Sequence, residues 1–366
     1  MSLNILITGG TGFIAAEMAR CFASDVDIAK IYLLIRPSKP DTADVKFERV
    51  VKHWNKFYIP MQESDFSKIT VISYDLNSQE SFPVIGPVDY FIHSAANTDL
   101  SQSLGEARFC NLQTTQRALE VARNLPGLKR FIYMSTAYVA GKNKGLISEK
   151  SKAKKFNNFY EQSKYECEDC IVNSEMPFTI IRPSIVVGRS DNGYFRKLKV
   201  LYSVWRIWLL GVVSKAPLDP DSAVDFVPVN YVIDASKYLM QAQEALGETF
   251  LLCAGPKCVS PYEVMLVAAK EFNVKQPPLT KPWMTYAVRR WPLRLLFSRQ
   301  VLDVLDTLYH QIHYIGIKNR VFDTKKTEAL LQKQGIICPS FHEFGTTMFS
   351  FCVDTKWGKK AQILKK

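Results

Sequence analysis

Leu3-Asn4-Ile5-Leu6-Ile7-Thr8-Gly9-Gly10-Thr11-Gly12-Phe13-Ile14-Ala15-Ala16-Glu17-Met18-Ala19 is the stretch that decides the fold. An apolar run ends in a glycine-rich turn and passes directly into a segment whose Met18, Ala19 and Phe22 share one helical side. Gly9 allows the tight turn, and Gly12 lets the backbone approach a phosphate with no side chain between them. The helix N-terminus then offers free N–H groups and a partial positive charge. Glycines alone fit any turn, but glycines between a buried strand and an amphipathic helix mark a dinucleotide-phosphate loop. Gly9, Thr11, Gly12, Phe13 and Ile14 are its candidate residues.

Outward from this loop, the first half alternates strand and helix signals. Short runs rich in Val, Ile, Tyr and Phe lie at Leu3–Thr8, Ile31–Ile35, Ile69–Ser73, Val88–His93, Phe131–Met134 and Phe178–Ile181. Such runs fit parallel strands buried on both faces. Between them, Glu106 to Asn124 has helical spacing, with Phe109, Leu112, Ala118, Leu119 and Ala122 on one side and Pro126-Gly127 as the stop. The expected fold is α/β, a doubly wound parallel Rossmann sheet with a smaller, mostly helical C-terminal substrate lobe. Residues 1–188 form the nucleotide-binding domain, and 189–366 form the lobe. Two segments return from the lobe to the sheet, at Asp225–Val229 and Thr249–Cys253.

The end of the second strand selects the cofactor. A carboxylate there would hold the ribose 2′-hydroxyl of NAD, whereas Ile31–Ile35 ends in Arg36 with Lys39 close behind. A guanidinium suits a 2′-phosphate, so NADPH is expected. An exposed Arg capping a strand is the plainer explanation. Asp75-Leu76 after the third strand suits an adenine, and the small Ala95 and Ala96 after the fourth leave the cofactor room. Either segment also reads as an ordinary loop.

Tyr160 and Lys164 stand four residues apart in a helical stretch, so their side chains project from one face. Hydride addition to a carbonyl leaves an oxyanion that needs a proton, and tyrosine with a pKa of about 10 donates poorly near neutrality. A neighbouring ammonium is expected to lower it, and also to hold the nicotinamide ribose. Ser135, 25 residues before Tyr160 and just past the fifth strand, is the candidate hydrogen-bond donor to the same carbonyl oxygen. A Tyr-x-x-x-Lys pair alone arises by chance on surface helices. After a glycine loop, six strands and a strand-end Ser it points to catalysis.

With these motifs assembled, the chain resembles the extended short-chain dehydrogenase/reductases. Within them it is similar to the fatty acyl-CoA reductase and thioester-reductase branch, the male-sterility type of NAD-binding domain. The resemblance rests on Ile5–Ile14, Ile31–Arg36, Met134–Val139, Tyr160–Lys164 with Glu168, Arg182–Val186 and Asp225–Val229, and it covers roughly the first 235 residues. It implies NADPH-dependent reduction of a fatty acyl-CoA or acyl-carrier-protein thioester to the aldehyde or alcohol. It also implies that Pro183, Ser184 and Ile185 lie against the nicotinamide and that Asn111 belongs to the cofactor site. Ala15 and Thr114 stand where the family usually has glycine. Two other readings share the scaffold: a sugar-nucleotide epimerase/dehydratase or hydroxysteroid-type dehydrogenase, and a non-catalytic NADPH sensor. The intact Ser135, Tyr160 and Lys164 set argues against the sensor.

The formal charge is +12, and the stretch from Lys281 onward holds 15 Lys+Arg against 6 Asp+Glu. Lys142, Lys144, Lys150, Lys152, Lys154 and Lys155 lie between Ser135 and Tyr160. These basic regions suit coenzyme A phosphates, an acidic carrier or a peripheral membrane contact, or they are simply solvated faces. Nucleic acid is not the expected partner. The apolar run Val200–Val213, with Trp205, Ile207, Trp208 and Leu209, is too short to span a bilayer and reads as core or an acyl-chain wall. With no signal peptide read at the N-terminus, a cytoplasmic protein is expected, with peripheral membrane association as the alternative and its eight cysteines as thiols. Cys167/Cys170, Cys253/Cys258 and His310/His313 resemble zinc half-sites only superficially, so no metal is expected.

Overall fold

The structure is a computed structural model that describes residues 2–196, 202, 222–275, 302, 314 and 319–357. The apolar runs form strands: β1 (Leu3–Thr8), β2 (Ile28–Ile35), β3 (Ile69–Ser73), β4 (Tyr90–His93), β5 (Arg130–Met134) and β7 (Phe178–Pro183). The seventh strand of the sheet, β10 (Glu248–Leu252), arrives from the second half of the chain and pairs with β7. All neighbours are parallel, in the order β10-β7-β5-β4-β1-β2-β3. This is the doubly wound Rossmann arrangement expected, whose strand order reverses between β1 and β4.

Burial explains why the strands read as continuous apolar runs. Ile5 and Ile7 of β1 join the core on one face of the sheet, and Leu6 joins a second core on the other. Each such side chain contributes roughly 1.5–3 kcal/mol when fully buried. Helices of ten or more described residues are α1 (Phe13–Ala23), α2 (Ala43–Phe57), α3 (Thr114–Arg123), α4 (Phe159–Val172), α5 (Val229–Gln241), α6 (Pro261–Glu271) and α7 (Phe341–Asp354). Ala15, at the third-glycine position, is fully buried in α1, so helix–strand packing accommodates its methyl group.

Two expectations need correction. Phe226–Pro228 (β9) does not enter the main sheet; it pairs with Ile185–Val187 (β8) in a separate two-stranded sheet. Phe109 does not face the core but is 51% exposed. A π turn over Arg108–Gln113 precedes α3, and its wider spacing rotates Phe109 out of the phase that simple helical periodicity gave it. Apart from Tyr202, the calls at Val200–Val213 and its aromatic wall, His310 and His313, and most of the basic region from Lys281 onward lie outside the described residues.

Candidate active site

The register sets the site. Thr8 of β1 lies opposite His93 of β4, so the loops after these strands leave the sheet side by side at the reversal point. Gly9 adopts φ 77°, and a Cβ there would come within 2.9 Å of the Ala95 backbone. No side chain caps α1 at Gly12, which leaves its first-turn N–H groups open to an anion. The neighbouring cleft has a volume of about 430 Å³, and the expected Gly9, Thr11, Gly12, Arg36, Asp75, Leu76, Ala95 and Ala96 line it. A cradle that a Cβ would fill, an uncapped helix end and an exposed Arg36 together fit a dinucleotide phosphate.

Sequence reasoning missed other parts of this wall. Thr114, which stands in place of the usual glycine, also lines the cleft, as do Tyr74, Asn97 and Cys110. Beneath it, the Thr8 hydroxyl accepts from the Ser94 and Ala95 N–H groups, each at 3.1 Å. That leaves its proton for His93 Nδ1 at 2.8 Å, while His93 Nε2 meets Thr115 at 3.3 Å. Burial pulls His93 down to about 3, so this brace is neutral at ordinary pH.

Three cofactor calls are placed differently. Asn111 does not line the cleft: its buried amide accepts from Asn97 N at 2.7 Å and donates to Ser163 at 2.9 Å, tying the β4 loop to α4 from behind. The Phe13 and Ile14 side chains pack against the core, so only their backbone can serve a phosphate. Pro183, Ser184 and Ile185 lie at the junction of β7 and β8, outside the cleft lining.

The catalytic candidates sit on α4 and just past β5. Asn158 caps α4 through its side chain, which accepts from Glu161 N at 3.0 Å. This fixes the first turn, where Tyr160 stands half-buried. Lys164 is buried, donates to the Met134 carbonyl at 2.7 Å and lies 4.0 Å from the centre of the Tyr133 ring. Burial pulls its ammonium down to about 8. The expected lowering of Tyr160 is not what the structure gives. Burial pushes the phenol up, the charges of Glu161 and Cys167 add to this, and only a hydrogen bond with Thr136 works the other way. Lys164 is turned to the Met134 carbonyl.

Ser135 is the clearest correction. Its hydroxyl donates to Glu168, a buried carboxylate that also takes Arg182 Nε at 2.9 Å and Nη2 at 2.5 Å. The hydroxyl that favours ionisation of the Tyr160 phenol is that of Thr136, which also accepts from Tyr138 N at 3.3 Å and donates to the Pro183 carbonyl at 3.5 Å. Consecutive residues leaving a strand point in opposite directions, so only one of Ser135 and Thr136 can face the site. Arg182 Nη1 donates to the Glu149 carbonyl at 2.9 Å, anchoring the loop that carries the six lysines, all exposed.

Among the described residues, no His, Cys, Asp and Glu side chains gather as a metal site would need, and no helix is long and apolar enough to cross a membrane.

The family model described as Male sterility protein, an NAD-binding family, matches residues 7–236. The fatty acyl-CoA reductase wat of Drosophila melanogaster is 24% identical over 279 residues, covering 63% of this chain and 53% of that one. A non-canonical nonribosomal peptide synthetase of Aspergillus campestris is 25% identical over 382 residues, 93% of this chain and 35% of that one. The chain thus spans about half the length of curated fatty acyl-CoA reductases that it matches (53%). Among solved structures, the terminal R domain from the myxalamid PKS-NRPS pathway superposes with a TM-score of 0.79 at 23% identity, covering 99% of this chain and 93% of that one. UDP-glucuronic acid 4-epimerase from Bacillus cereus, in complex with NAD, gives 0.68 at 16% identity, with 96% and 97% covered. These two likenesses are of fold.

Proposed function

We propose that this chain, which belongs to the Male sterility protein family of NAD-binding domains, reduces an acyl thioester with NADPH. The observation that carries the reading is the placement of Tyr160 and Lys164 one turn apart on α4, with a cleft lined by the glycine loop at the reversal point of the sheet. Relatives named as fatty acyl-CoA reductases support the thioester as substrate.

The phosphates would be held by the Gly9–Gly12 loop and the α1 N-terminus, the 2′-phosphate by Arg36, and the nicotinamide ribose by Lys164. When bound, the cofactor supplies a hydride to the thioester carbonyl carbon. Tyr160 donates its proton to the oxygen as negative charge develops there, giving a hemithioacetal, and Thr136 orients the phenol. A phenol held high by burial is a reluctant acid until that charge appears on the oxygen beside it. Collapse of the hemithioacetal breaks the C–S bond, and the hydroxyl proton leaves as the thiol departs with the bonding pair. The product is an aldehyde, or an alcohol if a second NADPH delivers another hydride.

Cofactor choice is tested at Arg36. Arg36→Ala is expected to weaken NADPH at least about tenfold more than NADH, because only the 2′-phosphate loses a charge-assisted contact. Equal weakening, measured by equilibrium titration of both cofactors, would remove Arg36 from phosphate recognition.

The partner would be coenzyme A or an acidic carrier, approaching over the exposed lysines of residues 142–155. Attraction between exposed charges falls with salt, since the Debye length is about 10 Å at 0.1 M and about 3 Å at 1 M. The apparent KM for a long-chain acyl-CoA should therefore rise with ionic strength while kcat changes little. Neutralising Lys152, Lys154 and Lys155 together should reproduce part of that rise. The deciding experiment follows NADPH consumption with a panel of acyl-CoAs and identifies products by mass spectrometry. Turnover of a nucleotide-sugar or hydroxysteroid with no acyl-CoA oxidising NADPH would defeat the reading.

A further inference from the structure

Arg320 is a buried cation short of acceptors. It opens the short strand β11 (Arg320–Phe322), which pairs with β6 (Gly145–Ile147), and is 8% exposed. Its Nη2 donates to the Gly141 carbonyl at 2.5 Å, while Nε and Nη1 have no partner among the described residues. The rings of Tyr138 and Phe322 lie 5.7 and 5.9 Å from the guanidinium carbon, and soften its burial without accepting a hydrogen bond. A buried charge without full hydrogen bonding is costly, so an acceptor that reached Nε and Nη1 would be held there.

The space beside it is a small, partly open recess of about 20 Å³, room for a single water-sized group, lined by Arg320, Tyr138, Tyr314, Asp225, Cys258 and Phe322 among others. The carboxylates nearby are already engaged. Asp225 accepts from Ala254 N at 2.8 Å and Gly255 N at 2.9 Å, and Glu161 accepts from Asn157 N at 2.8 Å and from the Asn157 amide. Tyr314 accepts from Asn158, the cap of α4, at 3.0 Å, and its ring lies 4.3 Å from that of Tyr138. Tyr138 is two residues past Thr136, and Asn158 two before Tyr160. The recess therefore abuts both segments that carry the proposed chemistry.

We propose that this recess is a subsite for an accepting oxygen, carboxylate or carbonyl, on the acyl part of the thioester, with Arg320 as the donor. The enzyme then favours oxygen-bearing acyl groups over plain alkyl ones. The inference rests on the thioester-reductase reading and narrows its substrate class. A small acceptor completes the hydrogen bonding of Nε and Nη1, whereas an alkyl chain at the same place leaves them bare. The fork of a guanidinium takes two oxygens of a carboxylate, or one carbonyl oxygen through either N–H.

The test compares, on the unaltered enzyme, butanoyl-, hexanoyl- and octanoyl-CoA with the matching acyl-CoAs that carry a terminal carboxylate or an internal ketone. At least one oxygenated series is expected to exceed its plain counterpart by about tenfold or more in kcat/KM, the range of a charge-assisted hydrogen bond. Arg320→Met should flatten that ratio, and Arg320→Lys should restore part of it. Equilibrium binding of the same acyl groups as unreactive CoA thioethers runs in parallel. Turnover with no preference, or a preference that survives in Arg320→Met, overturns the subsite and leaves the reductase reading standing. No turnover of any thioester, with Arg320-dependent binding of the oxygenated thioethers, sinks the reductase reading and keeps the subsite. No turnover and no preferential binding ends both.

Discussion

Tyr160→Phe is expected to lower thioester turnover at least ~10²-fold while leaving cofactor affinity nearly unchanged, the pattern of losing a general acid and nothing else. The neighbouring hydroxyls sharpen the test. Thr136→Ala should also depress kcat, because its hydroxyl is the one that favours the ionised phenol. Ser135→Ala should leave kcat close to normal, because its hydroxyl is committed to Glu168 on the other side of the strand end. Steady-state NADPH oxidation read beside a cofactor titration separates the three variants. A Tyr160→Phe protein with near-normal turnover would remove the mechanism, and a Ser135→Ala loss larger than that of Thr136→Ala would return the role to Ser135.

The second large effect is on stability. Glu168 and Arg182 form a buried ion pair with side chains 6% and 10% exposed, and the carboxylate also takes the Ser135 proton. Glu168→Ala would leave an unpaired guanidinium inside the protein, so a loss of about 3–5 kcal/mol is expected in urea unfolding. Glu168→Gln, which keeps the shape and one accepting oxygen, should cost less. Replacing both partners by apolar residues of similar size should cost less than removing the carboxylate alone, because no stranded charge remains. A loss under about 1 kcal/mol for Glu168→Ala would mean that water reaches the pair.

The strands were legible because parallel strands covered on both faces need unbroken apolar runs, and Leu3–Thr8 and Phe178–Pro183 have them. Gly9 was legible because its positive φ and the close Ala95 backbone exclude a side chain. The choice between Ser135 and Thr136 was not, since strand alternation says that they diverge but not which one faces the cleft. Asn111 carried a true signal with the wrong addressee: its amide is satisfied by loop backbone and Ser163 rather than by a ligand. Phe109 failed because a π turn leaves no mark in apolar spacing. Arg320, Tyr314 and Asn158 meet across more than 150 positions of chain, and no local pattern announces such a meeting.

The pairing of β10 with β7 also sets a timetable for biosynthesis. When a growing chain has emerged only as far as Val187, β7 presents an unpaired edge, with Ile180 and Ile181 already committed to the interior. Glu248–Leu252 must be translated before that edge is covered. An uncovered row of backbone groups is a template for association with other chains. The interval between the emergence of β7 and β10 is therefore the window in which nascent chains would aggregate or recruit a chaperone. Slow translation through the intervening segment should lengthen that window, and fast translation should shorten it.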